Sequence, residues 1–319
     1  DWAAALVTDA DGFEGAEGQI NAYYKSLVAF MTGGRVVEAR KIAGHLQRAF
    51  FSGGDFNGRP GDPTSGGLAT YRNAWAARGL HLIGRYDLSV PAADLLEAQI
   101  HPVHGGVAAL PGRPEAEREY DGGTTGSAIL SLLAMGRVEA AARCGRFLTG
   151  MIEAQPAGRG AFYLRRGADG EIISSDIRQG LATTYSIDIG GTGQIYWYLG
   201  IAMNSFANLA LATGDRGWLD WGYRVLEMFE KCDSEVYEII SNGKVAWGLA
   251  AMYAVTRDAK FARLALDCWA WHYRIQSPDG RWLRVGQIAS LDEQPLHVTL
   301  DTTLERAFYM FELSRTLDV

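Results

Sequence analysis

Two kinds of apolar stretch alternate along the chain. Six segments are apolar nearly all round and open with a polar or glycine-rich lead-in. They are "EGAEGQINAYYKSLVAFM" from Glu14, "TSGGLATYRNAWAARGLHLIG" from Thr64, "DGGTTGSAILSLLAMG" from Asp121, "DIGGTGQIYWYLGIAMNSFANLALATG" from Asp188, "SNGKVAWGLAAMYAV" from Ser241 and "LDTTLERAFYMFELSR" from Leu300. Their Gly, Ala, Ser and Thr content predicts helices buried on every side and packed closely together. After five of the six comes a short break and a second stretch of different grammar, as in "RVVEARKIAGHLQRAFF", "RVEAAARCGRFLTGMIEAQ", "RGWLDWGYRVLEMFEKC" and "AKFARLALDCWAWHYRI". Apolar residues there recur at three- and four-residue spacing with Arg, Glu and Lys between, which predicts helices with one wet face.

A repeat of buried helix plus amphipathic partner cannot bury its own faces and must pack against copies of itself. Six copies close into two concentric rings, so the fold class expected is all-α, an (α/α)6 toroid forming a single domain over residues 1–319. The sixth outer helix is missing from the C-terminal end, and residues 1–10 are the segment available to fill its place. The connectors "GRGAFYLRRGADGEI" and "SPDGRWLRVG" carry the turn glycines of small β-hairpins.

The stretch "GGVAALPGRPEAEREYDGGTTGSAILSLLAMGRVEAAARCGRFLTGMIEAQ" resembles the repeat of the terpenoid cyclase and protein prenyltransferase toroids. The segment "DIGGTGQIYWYLG" resembles the start of an inner helix in those proteins. It is also similar to that of six-hairpin carbohydrate-active enzymes such as unsaturated glucuronyl hydrolases and toroidal polysaccharide lyases and epimerases. The resemblance implies the architecture, not the chemistry. The D-x-D-D acid run of the squalene-hopene cyclases is absent, since "YSIDIGG" holds the one aspartate Asp188. Asp267-Cys268 lacks the spacing of a prenyltransferase zinc site.

Parallel inner helices gather their N-terminal ends at one mouth, where free backbone N–H groups and helix dipoles converge. The residues at those starts are Glu14, Glu17, Arg72, Tyr120, Asp121, Tyr185, Asp188, Asn242, Lys244, Asp301 and Glu305. Carboxylates delivered by several helices to one place suit general acid–base work, so Asp188, Asp121 and Asp301 are the candidate catalytic acids, with Tyr185 and His104 beside them. Asp188 leads because it precedes the most aromatic inner segment. Each of the three aspartates also stands where an N-cap would, and capping is the alternative role. Tyr24, Arg72, Trp75, Tyr120, Trp197, Lys244, His297 and Glu305 are candidate substrate-binding residues. Aromatic faces stack on sugar rings or stabilise a carbocation, while Arg72, Arg178 and Lys244 suit a uronate carboxylate. His101 and His104 lie three apart without a third ligand in register, and the loop with Asp55, Asn57, Arg59 and Asp62 lacks calcium-loop spacing, so no metal site is expected.

A net charge of −7 with no Lys/Arg run excludes a nucleic-acid partner of the usual basic kind. No apolar run reaches membrane-span length. The three cysteines form no zinc or disulfide pattern and fit a reducing, cytoplasmic setting, although the chain starts at Asp1 without Met as a processed or trimmed protein does. No phosphate loop, dinucleotide fingerprint or hydrolase triad motif is present, so no cofactor is expected. The function expected is therefore a metal-free acid–base enzyme acting on a small-molecule or oligosaccharide substrate, in an acidic, aromatic-lined central funnel. Hydrolysis, β-elimination and epimerisation stay open, with a uronate-containing glycan among the substrates. The alternatives are a terpenoid-type cyclase, isomerase or dehydratase with an Asp proton donor, and a non-catalytic glycan- or lipid-binding toroid.

Overall fold

A computed structural model of the chain describes residues 1–8, 12–57, 68–156, 160–175, 177, 184–284 and 290–317. Arg59, Asp62 and Arg178, singled out above, lie outside these residues. After a short helix α1 (Trp2–Ala5) come five helical hairpins: α2 (Ser26–Thr32) with α3 (Val36–Ala49), α4 (Ala69–Leu82) with α5 (Tyr86–Ala98), α6 (Gly122–Ala134) with α7 (Val138–Glu153), α8 (Trp197–Thr213) with α9 (Gly217–Phe229), and α10 (Asn242–Thr256) with α11 (Ala259–Ile275). The long helix α12 (Leu296–Leu317) follows. Each of α2, α4, α6, α8, α10 and α12 packs on the next, and α12 returns to α2, so an inner ring closes with the odd-numbered helices α3 to α11 outside it.

The two helix grammars of the sequence have the two burials they imply. In α6 every residue from Gly122 to Leu132 is buried. In its partner α7 only Ala140, Ala141, Cys144, Gly145, Phe147, Leu148 and Met151 are, the stripe that faces the ring. The hairpin turns repeat one device: a left-handed residue after the inner helix, at Gly34, Gly84, Gly136, Gly214 and Arg257. Four of the five are glycine, which reaches positive φ without a Cβ clash. Small residues also set the tightest helix crossing. A Cβ added at Gly248 would lie 2.2 Å from the Gly200 carbonyl oxygen, so the backbones of α8 and α10 touch there.

Three helix starts differ from expectation. Helix α2 begins only at Ser26, leaving Glu14 and Glu17 in the turns before it. Helix α8 begins at Trp197 rather than near Asp188, because Gly190, Gly191 and Gly193 disfavour helix and Gly193 takes φ +69°. Helix α12 begins at Leu296, one turn early, where Pro295 supplies a preset φ and its carbonyl accepts the N–H groups of Val298 and Thr299. Asp301 is therefore inside α12, not its cap.

Four short strands tie the connectors together. β1 (Tyr120–Asp121) pairs antiparallel with β3 (Arg165–Arg166), and β2 (Ala161–Tyr163) with β4 (Ser186–Asp188). The two expected hairpins close at Arg166–Ile172 and Gln276–Trp282. In the first, however, β2 finds its main partner β4 farther along the same connector, and β3 finds β1 in the connector between α5 and α6. The short α1 stands against α12 where a sixth outer helix would be, and leaves a cavity of about 440 Å³ lined by Trp2, Phe30, Trp282, Met310 and Phe311 among others.

Candidate active site

The N-terminal ends of the inner helices do meet. Their closest gathering of charge is an ion cluster built from both ends of the chain. Asp301 and Glu305, one turn apart on α12, share a face. Lys25, at the start of α2, reaches both, with Nζ 2.9 Å from Asp301 Oδ1 and 2.5 Å from Glu305 Oε1. Lys244, in the first turn of α10, places its Nζ 2.5 Å from the same Glu305 oxygen. Arg306 holds the other Glu305 oxygen at 2.5 Å and donates to the Ile240 carbonyl. Arg284, in the segment leading to α12, donates from Nη2 to Asp301 Oδ2 at 2.8 Å and from Nε to Thr302 Oγ1 at 3.1 Å.

Two carboxylates thus face four cationic side chains, a surplus of two positive charges among the described residues. The acidic character expected at the helix starts is corrected for this cluster, which is net cationic. Burial alone would raise the Glu305 carboxyl, yet Lys244, Lys25 and Arg306 beside it hold it well below the usual carboxylate range. Burial would lower the Lys25 ammonium, but Asp301 and Glu305 together raise it. Lys244 has a single carboxylate oxygen, shared, and two cationic neighbours. Burial lowers it to about 8, with Glu305 opposing and Lys25 and Arg306 adding to the fall.

Aromatic rings adjoin the cluster. The Tyr24 ring lies 4.7 Å from Lys25 Nζ and 6.0 Å from the Tyr71 ring, which is 6.3 Å from Trp197. Trp197 packs against the start of α6, where a Cβ on Gly123 would fall 1.9 Å from its ring. Burial, followed by the charges of Asp301 and Glu305, raises the Tyr24 hydroxyl well above its ordinary value. Farther in, Trp75, Trp247 and Phe308 meet at centroid distances of 5.4 to 5.8 Å, with the Arg78 guanidinium within 6.0 Å of all three. Trp75 is therefore part of this inner aromatic plug. Arg72 donates to Asn57 Oδ1 at 3.0 Å and to Asn21 Oδ1 at 3.1 Å. His297, half-buried one turn before Asp301, has its imidazole lowered by burial and then by Arg284.

The remaining candidates lie elsewhere. Asp121 is buried and caps α6, accepting the Thr124 N–H at 2.7 Å. Tyr185 donates to Glu119 Oε2 at 2.6 Å, and Arg165 holds the same oxygen at 2.7 Å. Tyr120 lies edge-on to His101 and His104, whose rings stack 3.8 Å apart. His104 also packs on Phe147 of the outer helix α7, so the expectation that it reaches the funnel is corrected; burial and then His101 lower its imidazole to about 4. Asp188 stands exposed on β4, with its carboxylate folded against Gly191, outside the ion cluster. Sequence reasoning missed Lys25, Arg284 and Arg306. The signal for two of them was present: Lys25 and Arg306 are cations within segments otherwise apolar all round.

Among the described residues no three His, Cys, Asp or Glu side chains are grouped to hold a metal ion, and no helix is long and apolar enough to cross a membrane. No protein-family model matches the sequence, and no curated protein is significantly similar to it. Solved structures are similar in fold. A family GH76 α-mannanase from Bacteroides thetaiotaomicron superposes with a TM-score of 0.65 at 11% identity, over 95% of this chain and 87% of that one. A cellobiose 2-epimerase from Spirochaeta thermophila gives 0.65 at 15% identity, over 99% and 93%. An unsaturated glucuronyl hydrolase specific for heparin gives 0.60 at 8% identity, over 95% and 87%. These likenesses establish the fold as the six-hairpin (α/α)6 toroid found among carbohydrate-active enzymes.

Proposed function

We propose that the chain is a carbohydrate-acting enzyme that removes a proton next to a carbonyl, so that its product is an epimer or a β-elimination product. The observation that carries this reading is the surplus of two positive charges around Asp301 and Glu305. Proton removal next to a carbonyl builds negative charge on oxygen, whereas glycoside hydrolysis and terpenoid cyclisation build positive charge on carbon. At roughly 5 Å and an effective dielectric of about 20, each surplus charge favours the anion, and disfavours the cation, by about 3 kcal/mol.

The general acid that a carboxylate-pair hydrolase requires is also hard to find in the cluster, since Glu305 is held ionised by three cations. Tyr24, Tyr71 and Trp197 supply ring faces for a sugar. Arg284 and Arg72 are donors for the carbonyl or for a uronate carboxylate. His297, one turn before Asp301, is a further group able to exchange protons with the substrate. The fold likeness to epimerases and an isomerase is compatible with this chemistry.

The test is incubation of the full chain in D2O with mannose, glucose, cellobiose and uronate-containing oligosaccharides. The expected result is an epimer with deuterium at the carbon next to the carbonyl, or an unsaturated product in which that carbon keeps no hydrogen. Hydrolysis products that carry no deuterium would overturn the proposal.

A further inference from the structure

Resting on that reading, we infer that Lys244 is the base: its neutral amine takes the proton from the substrate carbon, while Lys25 stays an ammonium. Both lysines lie 2.5 Å from one oxygen of Glu305, so their nitrogens are close neighbours. The cluster relieves its excess charge most readily by losing one proton, and geometry decides which. Lys25 bridges two carboxylates, Asp301 and Glu305. Among the described residues the Lys244 ammonium is paired with Glu305 alone, shares it with Lys25 and Arg306, and lies 5.8 Å from the face of Tyr309. An amine beside another cation in a buried site is the arrangement that leaves lysine neutral and reactive. Lys244 is also the more accessible of the pair, its side chain 12% exposed against 5% for Lys25.

In the step itself the Lys244 lone pair takes the proton and becomes an ammonium. The C–H electron pair forms a C=C bond, and the carbonyl π pair moves to oxygen, giving an enolate. The enolate then takes a proton on its other face or expels a β substituent. With Lys244 neutral the cluster starts with one surplus positive charge, and the proton it takes restores the second as the enolate forms, so cluster and substrate together keep their total charge.

The chain has five lysines, which makes a site-resolved titration simple. Acetylation rates of each lysine, read by mass spectrometry from about pH 6 to about pH 11, are expected to reach half-maximum near 8 for Lys244. A Lys244 whose half-maximum lies at the ordinary value of a free lysine side chain, about 10.4, overturns the inference. Deuterium exchange gives the second readout. Lys244→Arg keeps the charge but stays protonated, and should lower exchange about 100-fold or more. Exchange within about threefold of wild type in Lys244→Arg overturns the assignment of the base alone. A wild-type chain that neither exchanges a substrate hydrogen nor forms an unsaturated product overturns the reading beneath it, and the two failures are thus distinct. If Lys244→Arg does not fold, the wild-type titration decides.

Discussion

A carboxylate taken out of water costs several kcal/mol, and three cations around Glu305 recover that cost through contacts as short as 2.5 Å. Packed apolar residues would stabilise the same space at least as well, so the cluster is better explained by chemistry than by stability. The sequence made Asp301, Glu305, Lys244, Arg72 and Tyr24 visible because each interrupts a helix start that is otherwise small or apolar. It hid Lys25 and Arg306 because each adjoins a residue that had already drawn notice. Arg284 lies in the hairpin connector "SPDGRWLRVG", whose pattern marks the turn glycines and not the arginines. Asp188 gained weight from a glycine run that reads as a helix lead-in but folds as a turn after β4. The contrast between two aspartates tests this placement. Asp121→Ala should lower stability by about 1 kcal/mol in denaturant unfolding, the usual worth of a cap. Asp188→Asn, at an exposed site, should leave both stability and turnover within the range of surface substitutions, about 0.5 kcal/mol. Loss of turnover in Asp188→Asn would return that residue to the mechanism.

At the scale of elements, glycine and proline decided where sequence and structure agree. The five hairpins were legible because a turn signal separates two different burial patterns each time, as at Gly136 between α6 and α7. Helix starts were less so: Pro295 moved α12 forward one turn, and Gly190 to Gly193 moved α8 back. The pairing of β1 with β3 joins segments some 45 residues apart, and no local pattern announces it. The Gly200–Gly248 crossing matters for the site because Lys244 lies one turn before Gly248 on α10. A methyl group at Gly248 would lie 2.2 Å from a backbone oxygen and 2.7 Å from the Gly200 Cα. Neither atom can rotate away. Gly248→Ala should therefore destabilise the chain by about 1–3 kcal/mol as an overpacked core does, measured by urea unfolding. It should also weaken exchange activity beyond what its stability loss explains, since it displaces Lys244 from Glu305.

For the whole molecule, the ring was legible because six self-similar units leave no other way to bury six all-round apolar helices. Its content was not, since charge balance depends on which side chains converge and no spacing in the sequence reports that. A single closed ring over the whole chain predicts one cooperative transition: tryptophan fluorescence and far-ultraviolet circular dichroism should change together on unfolding. Separate midpoints would divide the chain into more than one unit. Contact between α2 and α12 has a consequence for how the molecule forms. Lys25 and its two carboxylate partners are separated by most of the polypeptide, so the cluster cannot exist until the first hairpin and α12 meet. Loop closure over such a distance is entropically expensive and comes late. Until then Asp301 and Glu305 repel each other one turn apart on α12. Sealing the ring and assembling the reactive centre are therefore a single folding event, and no partly folded chain carries the chemistry.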